Sequence, residues 1–73
     1  MVGERITGAR RSRGLSIDDV AATTRLRPLT IEAIEDEDFS RCGGDSYAIG
    51  PLRMIADAVG LDSDDLVAEY RRQ

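Results

Sequence analysis

No histidine, tryptophan or lysine occurs among these 73 residues, and there is one cysteine, Cys42. Without histidine the usual general base and the commonest metal ligand are missing, and one thiol cannot close an internal disulfide. A reducing, cytoplasmic setting is therefore the expectation. No stretch approaches the ~20 consecutive apolar residues that span a bilayer, and the N-terminus has no apolar signal-peptide core. Aromatic residues number three, Phe39, Tyr47 and Tyr70, so the core has to be built from Ile, Leu, Val and Ala. There is no Gly-rich phosphate loop, no cluster with metal-ligand spacing and too little chain for a deep pocket. The sequence predicts no catalytic residue, no cofactor and no metal, and an enzyme is excluded on those grounds. Alternating apolar residues are absent too, which leaves an all-α chain of one small domain, residues 1–73. A domain of this size buries only around 60% of its unfolded surface, so its stability margin is slim.

What is present is helical spacing, clearest over residues 16–35. Ser16 suits an N-cap, and Asp19 three residues on is a short version of the capping-box partner. Ile17, Val20, Ala21 and Thr24 then recur at helical intervals and make one buried stripe. Arg25 to Arg27 form a connection with Leu26 turned inward. Pro28 fits the first position of a following helix, where its missing N–H costs nothing, and Ile31 and Ile34 share a face. Two short helices joined by a tight turn, with small Ala21 where they approach, make a helix-turn-helix.

Three further helices brace this pair. Val2, Ile6 and Ala9 define the inner face of a first helix over Val2 to Arg13, weakened by Gly3 and Gly8 and stopped by Gly14. Arg10, Arg11 and Arg13 crowd its last turn, where cations complement the helix dipole and face solvent. Glu35 to Asp38 reads as a solvated acidic turn without calcium-loop spacing, closed by Phe39 as an anchor. Cys42-Gly43-Gly44 is a connector, its thiol a packing group. Ser46 to Ile49 form a separate turn, because Pro51 belongs in the first turn of a helix starting near Gly50. Leu52, Ile55, Ala56 and Val59 stripe that fourth helix, Gly60 ends it and Leu61 packs back. Asp62 caps a fifth helix that turns Leu66, Val67 and Tyr70 inward. The expectation is a compact five-helix domain built around that helix-turn-helix.

The segments VGERITGARRSRGLSIDDVAATTRLRP, IEAIEDEDF, SYAIG and GLDSDDLVAEY resemble the N-terminal cytoplasmic helix-turn-helix domain of RodZ-type bacterial cell-shape proteins. The resemblance runs from Val2 to Tyr70. The helix-turn-helix core itself is shared with the broader Xre/Cro-like superfamily. It implies a domain cut from a longer, membrane-tethered protein, with Arg71-Arg72 opening a basic flank before a transmembrane helix. It also implies a protein partner, either the actin-like MreB filament or another component of the cell-shape and division machinery. Phe39 and Tyr47, with Leu52 and Arg53 nearby on the fourth helix, carry over as the partner-facing residues. The chain departs from the family at Leu29, Thr30 and Glu32, where basic or aromatic residues are usual, and at Pro51, where an aromatic is.

The alternative is an Xre-type DNA-binding regulator. Its phosphate-gripping edge would be Arg10, Arg13, Arg25 and Arg27, with Thr30 and Glu32 as base readers, since a carboxylate can accept from cytosine N4. Against it stands the charge of residues 25–38, where two arginines face five carboxylates. Duplex DNA repels such a surface, and the second helix lacks the Arg, Lys, Asn or Gln that read base edges.

Overall fold

The computed structural model describes residues 1–73, Asp45 by its backbone alone. In chain order it contains α1 (Val2–Ser12), α2 (Ile17–Thr24), α3 (Pro28–Glu35), one 3-10 turn (Ser40–Cys42), α4 (Asp45–Val59) and α5 (Ser63–Arg72). Among the described residues the only regular structure is helical.

The start and stop signals act through identifiable hydrogen bonds. Ser16 Oγ accepts from the Asp19 amide at 3.0 Å, and the Asp19 carboxylate accepts from the Ser16 amide at 2.8 Å. Two otherwise unpaired amides at the head of α2 are thereby satisfied. At the end of α1, Gly14 adopts φ 68°. Its amide donates to the Arg11 carbonyl at 3.0 Å and the Leu15 amide to that of Arg10 at 3.1 Å, the bonding of a left-handed helix stop. Glu37 does the same job for α3 at φ 65° without being a glycine. Its amide reaches the Ile34 carbonyl at 3.0 Å, and the Asp38 amide reaches Ala33 at 2.8 Å.

In the α2–α3 turn, Thr24 is buried, and its hydroxyl donates to the Val20 carbonyl at 2.8 Å and accepts from the Leu26 amide at 3.2 Å. That second bond ties down the residue whose side chain turns inward. Val2, Ile6, Val20, Ile31, Ile34, Leu52, Ile55, Val59 and Leu66 close into one core, with Leu26, Phe39 and Tyr70 packed against it. At roughly 25 cal/mol per Å² of apolar surface removed from water, this burial is the main term opposing chain entropy.

Two expectations are corrected here. Residues 46–49 are not a separate turn, because α4 starts at Asp45 and runs through Pro51 without a break. A proline usually pushes its predecessor out of helical geometry by clashing with that residue's N–H and Cβ. The predecessor here is Gly50, which has no Cβ, so part of the clash is relieved. Ala48, wholly buried, and Leu52 offset the lost hydrogen bond by joining the core on either side of the proline. Gly3 is not simply a weak helix former either. It is buried, and a Cβ there would strike the Glu35 carbonyl, so glycine is what lets α1 cross the end of α3.

Candidate interaction surface

Charge placement decides which surfaces are open. Arg10 is not a solvated end-of-helix cation. Its side chain is 12% exposed and that of Glu35 9%. Nε and Nη2 of Arg10 donate to the two Glu35 oxygens at 2.8 and 3.0 Å, and Nη1 donates to the Leu15 carbonyl at 3.0 Å. Thr7 adds a hydroxyl donor to the same carboxylate at 2.7 Å. The hydrogen-bonded Glu35 holds the Arg10 guanidinium above its ordinary pKa, and the pair locks α1 to α3.

The acidic run after Glu35 is likewise more than a solvated turn. Glu37 accepts from the Gly3 amide at 2.6 Å and from Gln73 Nε2 at 2.7 Å, while Gln73 Oε1 accepts from the Val2 amide at 3.0 Å. The positive end of the α1 dipole thus meets a carboxylate. Asp38 accepts from the Ser40 hydroxyl at 2.6 Å and its amide at 3.0 Å, which starts the 3-10 turn and holds its carboxyl below the ordinary range. Partial burial, helped by the charge of Asp38, pushes the Cys42 thiol up, away from the thiolate form that nucleophiles need.

The remaining arginines of the DNA reading stand at the end of α1 and in the α2–α3 turn. Arg13 is exposed, and its guanidinium lies over Gly60 at the negative end of α4. Arg25 and Arg27, both exposed, flank the start of α3. The outer face of α3 presents Leu29, 58% exposed, with Glu32 exposed and Thr30 half-buried.

An open groove of about 650 Å³ runs between the head of α1, α4 and the end of α5. Phe39, Ile49 and Tyr70 supply its apolar lining, with Met1, Ser46, Arg71, Glu37 and Gln73 around them. The rings of Phe39 and Tyr70 stand 4.7 Å apart at 60°, the tilted packing aromatic pairs favour. Tyr47, 71% exposed, stands on the neighbouring face of α4 beside Gly43, with Met54, 43% exposed, two turns further along. Of the four partner-facing residues expected from the resemblance, Phe39 and Tyr47 lie at or beside this groove. Leu52 does not, because it is wholly buried and belongs to the core. Arg53 is tied to α5 through Asp64 at 2.6 Å. The sequence places Ile49 in a separate turn and Tyr70 on the inner face of the fifth helix, so neither is expected at a groove, and helical spacing does not say whether another element covers a side chain.

Comparison with known proteins matches residues 5–66 to the family model described as "Helix-turn-helix domain". Over 58 residues the chain is 31% identical to a protein of Bacillus subtilis (strain 168) named "Uncharacterized membrane protein YmfM". That match takes in 80% of this chain and 20% of the relative, so the chain spans about a fifth of the relative's length. No solved structure matches the chain significantly. Among the described residues no helix is long and apolar enough to cross a membrane.

Proposed function

The chain belongs to the helix-turn-helix domain family, and from that premise we propose that it is an adaptor module that docks on a protein partner rather than a reader of duplex DNA. The observation that carries this reading is the outer face of α3. The helix that would enter a major groove presents an exposed Leu29 and an exposed Glu32, where base readout needs paired donors and phosphates need cations. The engagement of Arg10 by Glu35 supports it further, because one arginine of the expected phosphate-gripping edge is used inside the domain.

In the finer form of this proposal the domain is RodZ-like and lies on the cytoplasmic side of a membrane-tethered protein. Its partner is an actin-like filament of the MreB type or another part of the cell-shape and division machinery, held at the groove beside Phe39 and Tyr47. The relative's name, a membrane protein, supports the tether. Co-sedimentation with polymerised MreB tests the partner. Tyr47→Ala should abolish pelleting of the domain without altering its thermal midpoint, because that side chain is largely exposed. Wild-type protein that stays in the supernatant, or a Tyr47→Ala variant that pellets as well as wild type, counts against the reading.

A second reading, DNA binding, draws on exposed Arg25 and Arg27 at the start of α3. It requires saturable binding of a labelled duplex that weakens steeply with salt and weakens again in Arg27→Ala.

A further inference from the structure

Helix α4 has a weakly held first half and a firmly held second half. Its N-cap, Gly44, offers no side-chain hydrogen bond. Gly43 and Gly44 before it adopt φ 90° and 124°, a backbone region that anchors no side chain against the core. At the other end of this half, Pro51 has no N–H to give the Tyr47 carbonyl, and the preceding Gly50 is itself a poor helix former. Burial divides at the same place. Of residues 46–50 only Ala48 is fully buried, with Ile49 half-buried and Tyr47 largely exposed. Beyond the proline, Leu52, Ile55, Ala56 and Val59 are all at most 1% exposed.

We propose that residues 45–50 open as a unit, by unwinding of α4 as far as Pro51, while the rest of the domain stays folded. Among the described side chains of residues 46–50 one small one is fully buried, and the ladder behind them is interrupted, whereas four large or close-packed core residues hold the second half. Such contrasts separate locally opening units from the globally stable core. The opening has a structural consequence. Ser46 and Ile49 line the groove together with Phe39 and Tyr70, so part of its lining is movable and the groove can widen for a larger side chain. This inference does not rest on the partner reading, because it is measured on the domain alone.

Native-state amide hydrogen exchange is the test. Unwinding residues 45–50 frees the amides that donate to their carbonyls, namely Ile49, Gly50, Leu52, Arg53 and Met54, each bonded four residues back. These should exchange at least ~10-fold faster than Ile55 to Val59 and with little dependence on low denaturant, the signature of an opening that exposes little surface. Pro51→Ala restores the bond to the Tyr47 carbonyl, and it should slow Ile49 and Gly50 by ~10-fold, the factor that 1.4 kcal/mol represents. If Ile49 to Met54 share the protection and denaturant slope of Ile55 to Val59 in the unaltered protein, the proposal fails. It also fails if folded Pro51→Ala exchanges at Ile49 and Gly50 as the unaltered protein does.

Discussion

Two glycines of the same helix make opposite demands on a single added methyl group. Gly3 lies where α1 crosses the end of α3, and a Cβ there collides with the Glu35 backbone. Gly8 is exposed and has nothing within 4 Å of the same position. Gly3→Ala should therefore destabilise the domain by about 1–3 kcal/mol, the range for overpacking a tight contact. Gly8→Ala should stabilise it by about 0.5–1 kcal/mol, the helix-propensity difference. Urea melts of the two variants check both signs, and similar shifts in one direction would show that crowding at Gly3 is absent. Carboxylates set the acid response. Asp19 is held below its ordinary pKa by the Ser16 amide and hydroxyl, Asp38 by Ser40 and Glu69 by its hydrogen bond to Arg5. A depressed folded-state pKa contributes stability that is fully present above the unfolded value of about 4 and is lost as pH falls through the folded one. The thermal midpoint should be flat above ~pH 5 with respect to these groups and fall below ~pH 4, and Asp19→Ala should show a shallower fall. A midpoint unchanged down to pH 3 contradicts the assignment.

Among the elements, α1 is the one most dependent on its neighbours, and polar ties do much of the holding. Arg10 and Glu35 fasten its C-terminal half to α3. Glu37 and Gln73 satisfy amides at its head, and Arg5 reaches α5 through Glu69 at 2.7 Å and Asp65 at 3.3 Å. The Arg5 bonds are partly exposed and more strongly screened, but the Arg10–Glu35 pair is mostly out of water. Glu35→Gln or Arg10→Ala should each cost roughly 2–3 kcal/mol, because a charged group is left with its partner removed. The double variant Arg10→Met/Glu35→Leu should recover part of that loss. A double-mutant cycle with no coupling would mean that the pair is incidental. Along α4, spacing marks Leu52, Ile55, Ala56 and Val59 as the inner stripe, and all four are buried. Its N-terminal half escaped the same reading because a proline inside a helix forfeits one backbone hydrogen bond, and the burial of Ala48 and Leu52 that offsets this loss is a tertiary effect.

For the whole molecule, surface chemistry divides the domain. The basic cluster is spread between the end of α1, the end of α4 and the α2–α3 turn, and the helix that reads DNA in other helix-turn-helix proteins shows Leu29 and Glu32 outward. A labelled duplex titrated with micromolar protein should show no saturable shift even near 50 mM salt, where phosphate contacts are strongest. A steep negative salt slope would reverse the functional reading. The apolar opening lies instead at Phe39, Ile49 and Tyr70, and partner contact there should leave the helix-turn-helix core undisturbed.

By itself the sequence determined the helical class, the caps at Ser16 and Gly14, the turn between α2 and α3 and nearly all of the core. Each of these depends on residues within a few positions of one another, so local spacing and backbone chemistry suffice. Only the tertiary structure decided that Arg10 is a buried tie, that Glu37 caps α1, that Gly3 must be small, that Leu52 has no surface to offer and that Ile49 and Tyr70 line an open groove. Those outcomes join residues 25 or more positions apart, or turn on which neighbour covers a side chain, and no one-dimensional periodicity encodes that distance.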